Sequence, residues 1–122
     1  MPGRPFTIQK STMSLTLRTD FGCTEAIIDE DCGLKRFYEV ANILMHGFNI
    51  EFAQKEDEMD TLDWIFRFKN SLLTLHYNIY TGISIYPFKF RETLGTENND
   101  VVEIAQYVED RLIIHSVKRH LS

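Results

Sequence analysis

From Leu62 to Phe90 the chain reads LDWIFRFKNSLLTLHYNIYTGISIYPFKF, and nearly every other residue is apolar or aromatic. Successive side chains of a strand point to opposite faces, so a period of two predicts strands with one buried face. Leu62, Trp64, Phe66 and Phe68 share one parity, while Asp63, Ile65, Arg67 and Lys69 share the other. A turn at Asn70-Ser71 pairs Lys69 with Leu72, Phe68 with Leu73, Phe66 with Leu75 and Trp64 with Tyr77, setting apolar against apolar. A slip of one residue would put Arg67 opposite Leu73 and lose the match. A second turn within Asn78–Gly82 pairs Asn78 with Gly82 and Leu75 with Ile85, because Asn and Gly accept the positive φ of such loops. Pro87 has no amide hydrogen, which predicts that the third strand lies at an edge or ends there.

The rest of the chain packs around this three-stranded meander. Leu15 and Leu17 alternate with polar residues over Met13–Thr19, the mark of a half-buried strand, and Ala26-Ile27-Ile28 is a short apolar run that suits a second one. Leu34, Phe37, Tyr38, Ala41, Leu44 and Met45 recur at steps of three and four, which predicts a helix over about Gly33–His46 with Gly47 ending it. Asp29, Glu30 and Asp31 lie just ahead, where carboxylates interact well with a helix dipole. Phe48–Phe52 alternates as a strand, and Lys55–Asp60, KEDEMD, is a charged loop. A polar loop over Glu92–Asn99 leads to a last helix capped by Asn99 or Asp100. Its stripe is Val101, Ile104, Ala105, Val108, Leu112 and His115, and Lys118, Arg119 and His120 sit at its negative dipole end. Residues 1–12 hold two prolines and a glycine with no period, and form an extended arm, ordered or not. Residues 13–122 then make a single α+β domain. Its fold class is a two-layer sandwich, an antiparallel sheet of about four to six strands with two helices packed mainly on one face.

At 122 residues the chain suits one domain with a modest core. Its apolar fraction of 43% and charged fraction of 25% are ordinary for a globular protein. No apolar run approaches the ~18 residues of a membrane span, and no signal-peptide core follows the start, so the expected compartment is the cytoplasm and no membrane partner is expected. Cys23 and Cys32 could close a disulfide or form half of a metal site, but without a secretion signal they are expected as reduced thiols, and a spacing with no CxxC is a weak metal signal. The net charge of −5 disfavours nucleic acid as the main partner. The order helix, three strands, helix resembles that of double-stranded-RNA-binding domains in order alone. That resemblance implies lysines at the start of the second helix to grip phosphate. Here Thr96-Glu97-Asn98-Asn99-Asp100 would repel it, so the family is not claimed.

Catalytic and cofactor motifs are missing. There is no HExxH, GxSxG, Walker loop or GxGxxG, and His46, His76, His115 and His120 fall on different elements. No cofactor, metal site or catalytic residue is expected. A cleft holding His76 beside an ionised carboxylate would favour an enzyme instead.

The feature that remains is the meander's outer face. If Phe66 and Leu75 face the helices, then Ile65, Arg67, Lys69, Thr74, His76, Ser84, Tyr86 and Phe88 point away from them. Over Leu62–Arg91 the bases Arg67, Lys69, Lys89 and Arg91 outnumber the acid Asp63. Tyr and Arg are over-represented among binding hot spots, which makes Arg67, His76, Tyr86 and Phe88 the candidate binding residues. The expected function is a non-enzymatic protein–protein interaction or regulatory module, with a protein partner or a second copy as the ligand. The alternative is a nucleic-acid-associated module using the same face, with bases stacked on Tyr86 and Phe88.

Overall fold

The computed structural model describes residues 15–20, 22–30, 32–88 and 95–121, the last helix as backbone alone beyond residue 114. The elements in chain order are β1 (Thr16–Asp20), β2 (Cys23–Asp29), α1 (Leu34–Phe48), β3 (Phe52–Asp57), β4 (Thr61–Phe68), β5 (Ser71–Asn78), β6 (Gly82–Pro87) and α2 (Gly95–Leu121). The six strands form one antiparallel sheet in the order β1-β2-β6-β5-β4-β3, and the fold is the α+β sandwich that the patterning predicts. Residues 1–12, expected as an arm, lie outside the described residues, as do Lys89 and Arg91.

The core forms where the apolar parity of the sheet meets the two helices. Leu62, Trp64, Phe66 and Phe68 of β4, Leu73, Leu75 and Tyr77 of β5, and Ile83 and Ile85 of β6 are buried against one another. Phe37, Val40, Ala41 and Leu44 of α1 and Val101, Ile104, Ala105, Val108 and Leu112 of α2 close the cluster. Both helices therefore lie on one face, with α2 against β2, β5 and β6, and α1 against α2 and β5.

The β5–β6 hairpin has the expected register, Asn78 opposite Gly82 and Leu75 opposite Ile85, with Gly82 at φ 87°. The β4–β5 hairpin differs from expectation by two residues. Its turn is Lys69-Asn70, so Phe68 faces Ser71, Phe66 faces Leu73 and Trp64 faces Leu75. A shift of two preserves parity and so keeps the same residues in the core. The turn is set by Lys69, whose φ of 58° occupies the left-handed region usually filled by Gly or Asn. The third strand of the meander, β6, is central rather than at an edge, and it ends at Pro87, the second of the two expected alternatives. It can still carry Pro87 because the β2 pairing runs only as far as Ala26–Ile85, so Pro87 faces Leu73 alone.

Three other boundaries move. Gly47 lies inside α1, and Asn49 at φ 55° ends the helix. The buried stripe of α1 runs through Phe37, Val40, Ala41 and Leu44, leaving Leu34 and Tyr38 half exposed. The charged stretch Lys55–Asp57 is strand, not loop: β3 is the sheet edge, where charged side chains discourage pairing with other chains. Asn99 and Asp100 lie within α2, which already begins at Gly95. The first turn of α1 itself holds no acid, and Asp29, at the end of β2, reaches forward to Arg36 in that turn at 3.5 Å.

Candidate functional site

The outer face is the odd parity of β4 and β2 and the even parity of β5 and β6. The register arranges it in three rows. One row runs Ile27, Ser84, His76, Asp63, Glu56 across β2, β6, β5, β4 and β3. The next brings together Tyr86, Thr74, Ile65 and Gln54. The third holds Arg67 opposite Leu72, whose carbonyl accepts a hydrogen bond from the Phe88 amide at 2.9 Å.

The four candidate residues thus fall in two groups. His76 and Tyr86 stand on adjacent strands with ring centroids 5.8 Å apart, and both are half-buried. Arg67 and Phe88 lie at the other end of the face, and both are exposed. The face is less open than its polar content suggests. Ile65, Thr74 and Ser84 are buried, as are Ile27 and Cys23 of β2, although none belongs to the core cluster beneath the helices. Thr74 and Ser84 are short side chains set between larger cross-strand neighbours, Ile65 and Tyr86 for the first, Ile27 and His76 for the second. Lys69 is drawn away from the face. Its ammonium pairs with Glu103 of α2 at 2.8 Å, and that hydrogen bond raises its pKa.

His76 is oriented by a residue that the sequence reading passed over. Its Nδ1 meets the Asp63 carboxylate directly across β4 and β5. A carboxylate only accepts hydrogen bonds, so Nδ1 carries the proton and Nε2 of the neutral ring is an acceptor. Burial, assisted by the nearby charge of Asp63, pushes the Tyr86 phenol well above its ordinary pKa.

Beside His76 lies a groove of about 480 Å³, lined by Arg18, Glu25, Ile27, Glu30, His76, Tyr80, Thr81 and Ser84. Arg18 and Glu25 pair across β1 and β2 at 2.9 Å, at its rim. Glu30 and Tyr80 are exposed at its mouth, and Glu30 makes no ion pair among the described residues. The expected register hid this site, because it sets Ile65 rather than Asp63 opposite His76. The true turn, Lys69-Asn70, would have shown the pair from sequence alone.

No group of three or more metal-binding side chains gathers among the described residues, and no described helix is long and apolar enough to cross a membrane. No curated protein and no solved structure matches the chain. A family model described as "Protein of unknown function (DUF3630)" matches residues 15–86, a span that includes all of β1–β5, α1 and nearly all of β6 together with Arg67, His76 and Tyr86. Since that span is more than half of the chain, the protein belongs to the DUF3630 family.

Proposed function

We propose that this chain is a non-enzymatic interaction module that binds a protein through the outer face of its sheet. The observation that carries this reading is that the face opposite both helices holds the adjacent half-buried His76 and Tyr86 rings and, at its other end, an exposed Arg67 and Phe88. A folded chain gains nothing by leaving Phe88 in water, and rigid aromatics beside a cation are what binding surfaces concentrate. The acids at the groove, Glu25, Glu30 and the nearby Asp63, oppose phosphate and so weigh against the nucleic-acid alternative.

The test is the double substitution Arg67→Ala with Tyr86→Ala. The fold should survive, and binding to a partner recovered by pull-down from the native cell, then purified, should weaken at least about tenfold, the loss of a typical hot-spot contact. Unchanged affinity would remove the face from consideration. Loss of the fold would mean that these residues belong to a second core.

One observation favours a second reading. A groove holding His76 beside the Asp63 carboxylate is the arrangement of a general base. The only nearby hydroxyl nucleophile in the row, Ser84, is buried and makes no hydrogen bond to His76 among the described residues. Turnover of an activated ester that His76→Ala abolishes would establish this reading in place of the first.

A further inference from the structure

The outer face carries opposite charges at its two ends. At one end Arg67 is exposed beside Leu72 and Phe88, and it makes no ion pair among the described residues. At the other end the groove presents Glu30 and the exposed ring of Tyr80. The two ends are therefore complementary: a cation beside apolar neighbours at one, and at the other an exposed carboxylate beside Tyr80, where the groove's own cation, Arg18, is already paired with Glu25.

The register fixes the spacing of these ends. Arg67 lies one strand from β5, opposite Leu72, and Ser84 in the groove lies one strand to the other side, opposite His76. Leu72 and His76 are four residues apart on β5, about 13 Å at the rise of a strand. Thr74 is midway between Arg67 and Ser84 of the groove in both directions. In a two-fold contact, if one patch touches another, the second also touches the first. A two-fold axis lying in the contact plane over Thr74, across the line from Arg67 to Ser84, seats each copy's Arg67 on the other copy's groove.

We propose, building on the interaction reading above, that the partner is a second copy of this chain. The outer faces pack against each other about this axis, and the Arg67 guanidinium of each copy enters the groove of the other between Glu30 and Tyr80. Tyr86 then lies near the axis, at the centre of the contact. A face of six strands covers roughly 24 Å by 20 Å, about 500 Å² per copy, at ordinary strand spacing. That is below the roughly 800 Å² per partner of a standard interface, so the dimer is weak and forms reversibly with concentration. Salt should weaken it, because the contacts are between exposed charges.

Sedimentation equilibrium on the full chain provides the test, using wild type, Arg67→Glu, Glu30→Arg and an equimolar mixture of the two variants. Each variant alone sets like charges together at both symmetric contacts, and its dimerisation should weaken at least about tenfold. In the mixture, a reversed charge meets a reversed charge at one contact and native meets native at the other. The mixed pair should therefore associate as the wild type does. Circular dichroism of each variant confirms that loss of dimer is not loss of fold. Three results would overturn the proposal: a wild type that stays monomeric up to about 1 mM, well above the Kd range of a specific weak contact; variants that dimerise normally; or a mixture that does not recover. A monomeric wild type whose Arg67→Ala, Tyr86→Ala variant still loses a different protein would end this proposal while leaving the interaction reading in place. If that variant loses nothing, both fall.

Discussion

Tyr107 of α2 occupies the space that a side chain at Gly47 of α1 would need. A Cβ built at position 47 would stand 2.5 Å from the Tyr107 hydroxyl oxygen and 2.7 Å from its ring. The ring is held there by Phe48, with centroids 4.6 Å apart, and its hydroxyl accepts a hydrogen bond from Arg111 Nε at 3.1 Å. Gly47 is therefore a contact point between the helices, not a helix stop.

The sign of Gly47→Ala follows from this contact. In an open helix interior the change stabilises by about 1 kcal/mol. Here it must displace Tyr107, and overpacking costs about 1–3 kcal/mol. Thermal melting should show Gly47→Ala lowering Tm. In a Tyr107→Ala background the obstacle is gone, and the same change should raise Tm. Stabilisation in both backgrounds would show that Tyr107 moves aside freely.

Gly47 also illustrates what the sequence could and could not convey. A glycine after an apolar stripe looks like a helix end, and only the approach of another helix distinguishes the two cases. Parity over Leu62–Tyr86 was legible because burying one face enforces alternation. The register within that parity was not, since pairing Phe66 with Leu73 or with Leu75 buries the same residues. It was decided by Lys69 adopting a positive φ, which lysine does not advertise. The charged edge strand β3 was illegible because its residues are solvated and its alternation carries no apolar signal. The candidate face was legible through Arg67, His76, Tyr86 and Phe88. The groove was not, because it joins Glu30 and Ile27 of one hairpin to Tyr80 and Ser84 of another, and chain order does not reveal that β2 pairs with β6.

Tyr86 makes the stability of the fold depend on alkaline pH. Burial raises its phenol above the ordinary value of 10.0. The folded state thus holds a proton that the unfolded chain releases first, so the contribution is complete below pH 10 and is lost as pH rises towards the folded-state pKa. Tyr86→Phe removes this ionisation. Melting curves should show wild type and variant running parallel to about pH 9 and the wild type falling faster above it. Parallel loss at all pH values would show that the phenol is not protected in the fold.

The cysteines should report on unfolding. Cys23 and Cys32 form no disulfide: Cys23 is the first residue of β2 and Cys32 lies past the other end of this seven-residue strand, which is about 23 Å long, too far for a bridge to span. Cys23 is buried and Cys32 is partly exposed. Thiol titration of the denatured chain without reductant should count two thiols. In the native protein Cys32 should react first, and Cys23 only as fast as the structure opens around β2. Fast modification of both would mean that the sheet opens at this end without global unfolding.

The contact between Asp63 and His76 should be visible as a tautomer. Nδ1 faces a carboxylate that can only accept, so the neutral ring must carry its proton there. Long-range proton–nitrogen NMR spectra of the neutral ring should show Nδ1 protonated in the wild type. Asp63→Ala removes the acceptor, and the tautomer populations should shift towards Nε2–H. Stability should change little, by about 1 kcal/mol or less, because both side chains are partly exposed and such pairs contribute weakly. The consequence lies in the groove, where His76 would then offer a donor at Nε2 in place of an acceptor. If the groove receives a cation, the variant should bind it less well while folding as before. An unchanged tautomer in Asp63→Ala would mean that the carboxylate does not orient the ring, and a wild type protonated at Nε2 would reverse the polarity assigned to this wall of the groove.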